Sequence, residues 1–175
     1  MNLNKTMMAA VLAFGTISGA QAADQGHGKV TFTGSIIDAP CSIDPNSIDQ
    51  TVDLGSVSNV SLLNGGNSDP KPFEIHLEKC SLDTAKTVTT TFDGAAGKNG
   101  LLGMTGDAKG ASIAITDGSN NIIELGKPTA GQLISAGATE ATLAFSAYLK
   151  GDGGDETSII PGKFQSVANF ILNYK

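Results

Sequence analysis

The last fourteen residues of the chain, Gly162 to Lys175, constrain the fold most strongly. Side chains alternate between the two faces of a strand, so an extended stretch here sorts its residues into two sets. One face carries Ala168, Phe170, Leu172 and Tyr174. Val167 and Ile171 lie on the opposite face, and apolar residues on both faces predict a strand that needs cover on both sides. We expect no later segment of the chain to provide that cover, because the strand ends one residue before the sequence does.

A second stretch near the other end, G-K-V-T-F-T-G at 28–34, has the same alternation. It places Gly28, Val30, Phe32 and Gly34 on one face. The surrounding residues, Lys29 to Ile37, are predicted to form a strand that is interrupted at Gly34.

Between these ends the sequence is typical of an all-β domain. It contains 22 Gly and no Trp, and short β-branched or aromatic runs are separated by Gly, Asn and Asp clusters. Strands are predicted at Gln50–Leu54, Phe73–Cys80, Val88–Phe92, Ser112–Thr116, Ile122–Leu125 and Thr142–Lys150. In the last of these, the residues predicted to face inward are Leu143, Phe145, Ala147 and Leu149. Seven to nine short strands joined by turns favour a β-sandwich of immunoglobulin type.

Residues 1–22 are predicted to be a signal peptide. Lys5 supplies the positive charge, Met7–Ile17 forms an apolar run, and Ala20-Gln21-Ala22 fits the cleavage rule, which makes Ala23 the mature N-terminus. A transmembrane helix is the alternative, but the run is too short to span a bilayer. The mature protein is therefore expected to be exported.

The charge pattern argues against nucleic acid and anionic lipid as partners. The chain has a net charge of −6, removal of Lys5 makes it more negative, and no Arg is present. An acidic surface repels phosphates, and without Arg there is no bidentate guanidinium to bind them.

The two cysteines, Cys41 and Cys80, predict one disulfide, because an even count in an exported chain indicates pairing. Closing a loop of about 40 residues would stabilise the fold by roughly 4 kcal/mol. A reactive cysteine or a metal pair is the alternative, but neither Cys has a second Cys or a His at ligand spacing.

No catalytic residue, metal site or cofactor is predicted. His76 lies on a polar strand face and His27 in the N-terminal segment, where both are expected to be solvated. The acidic glycine turn with Asp152, Asp155 and Glu156 is similar to a calcium loop, but its spacing does not match an EF-hand.

Several motifs occur together and in order along the chain. The signal peptide is followed by the alternating stretch at 28–34, by I-D-A-P-C at 37–41 and by D-Q-T-V-D-L-G at 49–55. A predicted strand then ends in Cys80, Gly162 is the fourteenth residue from the end, and Tyr174 is the penultimate residue. With these motifs, the chain resembles a major pilin of chaperone–usher fimbriae, of the type 1 and P-pilus kind, over essentially its whole length.

The resemblance implies an all-β, incomplete immunoglobulin-like β-sandwich that lacks its last strand and is completed by a donor strand. It divides the chain into a signal peptide at 1–22, an N-terminal extension at 23–34 and a pilin domain at 35–175. The donor-strand residues are then Gly28, Val30, Phe32 and Gly34. The groove strand that the chaperone contacts carries Gly162, Ala168, Phe170, Leu172 and Tyr174.

The resemblance also implies the partners and the location. A periplasmic pilus chaperone first fills the groove, and an outer-membrane usher exchanges the chaperone strand for the arm of the next copy. The product is a head-to-tail filament of this chain, together with other fimbrial subunits, on the cell surface and used for adhesion. The residues themselves are consistent with this assembly, because an alternating arm can add as a strand beside a terminal strand that lacks cover.

Two other functions stay open at this point. One is a minor fimbrial subunit, an adaptor or a terminator, although the N-terminal arm looks competent for exchange and thereby disfavours a terminator. The other, from a different class, is a secreted monomeric β-sandwich that binds a sugar or another ligand. From the length of the chain we expect that it is not a two-domain tip adhesin, which needs an extra lectin domain before the pilin domain.

Overall fold

The structure is a computed structural model, and it describes residues 27–84, 86–154 and 158–175. The chain divides into two units, residues 1–36 and residues 37–175. The predicted signal peptide and residues 23–26 lie outside the described residues. Within the described ranges, no helix has the length and apolar character needed to cross a membrane.

The described part of the first unit, residues 27–36, contains no strand. Its apolar side chains are exposed, Phe32 at 89% and Val30 at 74%. The prediction of a strand over Lys29–Ile37 is therefore wrong for the isolated chain. A strand needs a neighbour to accept and donate its main-chain hydrogen bonds, and periodicity alone does not supply one.

The second unit contains ten short or medium strands among its described residues. They are β1 (Ser42–Ile43), β2 (Lys71–Glu78), β3 (Lys86–Gly94), β4 (Thr105–Gly106), β5 (Ala111–Asp117), β6 (Ile122–Ile123), β7 (Gln132–Ile134), β8 (Ala141–Gly151), β9 (Phe164–Gln165) and β10 (Ala168–Tyr174). One helical turn, α1 (Pro45–Ile48), follows β1 and is capped by Asp44, whose side chain accepts a hydrogen bond from the backbone of Asn46. Among the described residues, Asn59–Gly65 and Lys98–Gly100 form 3-10 segments.

The strands form two main sheets and one small pair. The first sheet has the order β1-β2-β8-β5-β6, the second has the order β10-β3-β7, and β4 pairs with β9. All pairings are antiparallel. In the second sheet, β10 pairs with β3 along its whole length, from Ala168 opposite Gly94 to Tyr174 opposite Val88.

Side chains from both main sheets form one core. In β8 the four residues predicted to face inward, Leu143, Phe145, Ala147 and Leu149, are all buried. An aromatic cluster connects the sheets, because the Phe92 ring of β3 lies 5.2 Å from Phe145 and 6.3 Å from Phe73, measured between centroids. Edge-to-face pairs of this kind contribute beyond their buried area.

A disulfide joins Cys41 and Cys80, as predicted. It connects the start of the second unit to the residues just after β2, and no free cysteine occurs in the described part of the chain.

The predicted strand at Gln50–Leu54 is absent, although the predicted alternation is present in the burial of its side chains. Leu54 is buried and Val52 is partly buried, so the segment packs on the core as coil. The Gln50 side chain donates to the Glu74 carbonyl at 3.1 Å, and Asp53 accepts from the backbone of Gly55. Burial of alternate side chains fixes the segment without a sheet partner.

Candidate functional site

Strand β10 stands out because it is a long strand at the edge of a sheet. At the edges of the first sheet, β1 and β6 have two residues each, and at the far edge of the second sheet β7 has three. β10 has seven residues and a neighbour on one side only within the described part of the chain. Proteins usually keep edge strands short because an open edge recruits further strands.

The hydrogen-bond register shows which main-chain groups of β10 are unpaired. Lys175 and Thr87 exchange both of their backbone hydrogen bonds, at 2.9 Å each. In an antiparallel ladder such pairs recur at every second residue, so Asn169, Ile171 and Asn173 also direct their main-chain groups toward β3. The N–H and C=O groups directed at the open edge are those of Ala168, Phe170, Leu172 and Tyr174.

The same four residues place their side chains toward the core, where they are only partly buried. The Phe170 ring lies 6.4 Å from that of Phe92, at the margin of the aromatic cluster. Burial raises the pKa of the Tyr174 hydroxyl above its usual value. The open edge therefore combines unpaired main-chain groups with apolar side chains that are incompletely covered.

The sequence predicts that β10 needs cover on both faces, and in the structure the face that points away from the core is not covered. Ile171 is 60% exposed, and Val167 is also exposed. Asn169 and Asn173 flank Ile171 on this face, so a single apolar side chain of β10 meets solvent there among polar neighbours. Both faces of β10 therefore lack full cover, and the side that faces the core is the more apolar of the two.

The sequence prediction missed the contribution of β3 to the groove beside β10. Phe92 and Val88 of β3 face inward next to Phe170 and Tyr174. Thr90, between them, is buried, and its hydroxyl has no hydrogen-bond partner within the described residues. The alternation in T-V-T-T-T-F could have identified Val88, Thr90 and Phe92 as one face, but not their position beside the open edge.

Gly162 is not part of β10. It lies in a bend before β9, where a Cβ atom would come within 2.8 Å of the Ala108 backbone nitrogen and the Asp107 Cβ. Both of those residues donate backbone hydrogen bonds to the Lys163 carbonyl. Glycine is required at position 162 because two backbones approach each other closely there, and not because the residue lies on the edge strand.

The remaining predicted residues lie in the arm. Gly28 and Gly34 have no heavy atom within 4 Å of a notional Cβ, and Val30 and Phe32 are exposed. All four are accessible for contact with another molecule.

The other titratable candidates have ordinary surroundings. His76 Nε2 lies 3.3 Å from Glu74 Oε2, and its Nδ1 lies 3.2 Å from the Thr142 hydroxyl, with the histidine side chain about half exposed. Asp152 accepts a hydrogen bond from Ser112 at 2.6 Å, whereas Asp155 and Glu156 lie outside the described residues. Within the described ranges, no three metal-ligating side chains cluster.

Comparison with known proteins explains the open edge. Residues 30–175 match the family described as Fimbrial protein. The chain is 60% identical to the Fimbria A protein of Serratia marcescens and 45% identical to the Major MR/P fimbria protein of Proteus mirabilis, and in both cases the match covers 100% of each chain.

Solved structures agree. The P pilus rod subunit PapA superposes with a TM-score of 0.64 at 27% identity, covering 78% of this chain and 100% of that one. A subunit in a chaperone–usher pilus structure that concerns rod uncoiling superposes with a TM-score of 0.63 at 31% identity. This match covers 86% of the present chain and 97% of the pilus subunit. The fold is thus the immunoglobulin-like sandwich without its last strand. The chain belongs to the fimbrial protein family, a class of structural, non-enzymatic subunits that form filaments on the cell surface.

Proposed function

We propose that this chain is the repeating rod subunit of a fimbria, polymerises by donor-strand exchange, and serves adhesion as part of that organelle. The observation that carries the proposal is β10, whose seven residues form an open edge with half-covered apolar side chains. Strand addition to such an edge is the established mode of chaperone–pilin complexes. Backbone bonds supply affinity, and alternate side chains supply specificity.

The donor is the N-terminal extension, residues 23–34, of the next copy. An added strand must place apolar side chains in the groove at every second position, and Val30 and Phe32 meet that requirement. Both are exposed in the free arm. Gly28 and Gly34 extend the same face at positions where the strand passes close to the groove.

The geometry of such a contact leads to a filament. The arm at 23–34 and the groove of the domain at 35–175 are different surfaces, so each copy can donate to one neighbour and accept from another. A head-to-tail contact that does not close into a ring generates an open helical assembly. Relatives named as major fimbrial proteins support the rod over a minor adaptor or terminator.

Before assembly the groove needs a temporary occupant. After export into the periplasm, directed by the signal peptide at 1–22, a pilus chaperone adds its own strand to β10. The outer-membrane usher then exchanges that strand for an arm. Replacing Phe170 and Tyr174 together by Ala should abolish the soluble chaperone complex, and normal co-purification of the double variant would contradict this step.

The test of the polymerisation proposal uses a matched pair of charge substitutions in the arm. Phe32→Asp places a carboxylate on the face that enters the groove, whereas Thr33→Asp places it on the other face. Phe32→Asp and Gly28→Arg should leave the subunit folded and chaperone-bound, because the subunit's own groove is unchanged, and yet prevent polymerisation. Thr33→Asp should polymerise.

Electron microscopy of surface material and gel filtration of the chaperone complexes provide the measurements. Rods formed by Phe32→Asp at the unsubstituted level would refute donor-strand exchange through this arm. A soluble monomer without any chaperone would favour a secreted ligand-binding sandwich.

A further inference from the structure

A cavity of about 250 Å³ lies on the outer face of the first sheet, away from the open edge in the second sheet. Its lining comes from four separate segments of the second unit: Asn67, Ser68 and Pro70 before β2, Thr116 at the end of β5, Asn120 in the following turn, and Tyr148 on β8. Tyr148 faces outward because its neighbours Ala147 and Leu149 face the core.

The lining is neutral and polar around one aromatic ring. None of its six residues is charged, although the chain carries a net charge of −6. Among the described residues, the Tyr148 hydroxyl and the Asn120 amide make no hydrogen bond. Asn67 accepts from Lys150 at 3.2 Å through its oxygen, which leaves its amide N–H groups available. The cavity thus offers donors and acceptors without a cation or carboxylate.

Both walls are held in place by hydrogen bonds. On one side, Ser68 exchanges backbone and side-chain bonds with Leu149 of β8, at 2.9 and 3.0 Å. On the other side, the Asp117 carboxylate accepts from the backbone of Ser119 and of Asn121, each at 2.9 Å, and from the Asn121 amide at 3.0 Å. These bonds fix the turn that carries Asn120 and occupy the Asp117 oxygens.

This chemistry discriminates among ligand classes. An anion would require a cationic partner in the lining, and a metal ion would require carboxylates, and neither is present among the lining residues. An apolar ligand would leave the two amides and the phenol hydroxyl unpaired, at a cost for each. A neutral polyol ring satisfies them, since its C–H face packs on an aromatic ring and its hydroxyls both donate and accept.

We propose that this cavity binds one neutral saccharide residue, with the sugar ring packed on Tyr148 and its hydroxyls hydrogen-bonded to Asn67 and Asn120. A shallow site for one sugar binds weakly. In a rod, every subunit would repeat it, and the effective affinity for a surface that displays many glycans would rise through multivalency. The gain from multivalency rests on the proposed rod, whereas sugar binding by a single subunit does not.

The test is saturation-transfer difference NMR on purified filaments, with the methyl glycosides of mannose, galactose, glucose and N-acetylglucosamine as probes. At least one glycoside should show saturation transfer to its ring protons. Tyr148→Ala should abolish it, Tyr148→Phe should retain part of it, and Asn120→Gly, which keeps the left-handed backbone at φ 62, should weaken binding roughly five- to tenfold.

The matched control is Thr142→Ala, on the same outer face of β8 but outside the cavity. If saturation transfer is equally intact in Thr142→Ala and in Tyr148→Ala, the proposal is overturned. It is also overturned if none of the four glycosides shows saturation transfer. If the chain forms no filament, the same titration on the chaperone-bound subunit separates the failure of the rod from the failure of the sugar site.

Discussion

Fusing the arm to the subunit's own C-terminus tests the missing-strand interpretation quantitatively. Residues 23–36, appended through a short flexible linker, can enter the open edge of β10 in the same molecule. We expect a monomer that unfolds in one cooperative transition and is more stable than the subunit released from its chaperone.

The side chains of the arm decide the size of the gain. Each main-chain hydrogen bond at the new edge contributes about 1 kcal/mol net, while ordering each arm residue costs about 1–2 kcal/mol. These two contributions largely offset each other. Phe32 and Val30, exposed at 89% and 74% in the free arm, then add about 1.5–3 kcal/mol each on burial.

A pair of alanine substitutions in the fused arm isolates this contribution. Phe32→Ala should lower the free energy of unfolding by about 3 kcal/mol, since it removes a buried ring. Thr33→Ala, on the outward face, should change it by less than about 0.5 kcal/mol. Urea unfolding followed by circular dichroism measures both.

Two outcomes would refute the reasoning. If the fused monomer and the released subunit unfold at the same low urea concentration, the arm is not the missing strand. If Thr33→Ala costs as much as Phe32→Ala, the arm adds without the predicted alternation.

Three further predictions concern the domain itself. Replacing Cys41 and Cys80 by Ser should cost roughly 4 kcal/mol and lower periplasmic yield, whereas an unchanged urea midpoint would contradict a stabilising role. Thr90→Val should stabilise the subunit by about 1 kcal/mol, because it replaces a buried hydroxyl without a partner by a methyl group of similar shape, and a lower midpoint would show that the hydroxyl is satisfied. Burial favours a higher pKa for Asp117, but hydrogen bonds from Asn121 and Ser119 outweigh it and hold the pKa below its usual 3.8. The stability that results is present above pH 3.8 and is lost as the pH falls through the lowered pKa. Asp117→Ala should therefore reduce the loss of stability at acid pH, measured as urea midpoints against pH.

The sequence predicted best where one strand buries alternate residues. The strand at Phe73–Cys80 appears as β2 and the one at Thr142–Lys150 as β8, with all four inward residues of β8 buried. Period-2 alternation is a local property, and burial of one face is its direct consequence.

The prediction failed where pairing, not burial, decides the structure. Gln50–Leu54 alternates but has no sheet partner, and β7, at Gln132–Ile134, is a strand only because it pairs with β3. The terminal stretch is likewise divided, since β9 pairs with β4 and β10 with β3.

The sequence by itself determined the alternation of the arm, an apolar terminal strand and a cysteine pair, because each depends on residue types and short spacings. Only the tertiary structure decided that β10 lies at a sheet edge, and that its free main-chain groups belong to Phe170, Leu172 and their alternate neighbours. It alone placed Thr90 beside that edge and brought four segments together around Tyr148. These features depend on which distant strands become neighbours, and that choice is made by burial of the whole core, which no short stretch of sequence encodes.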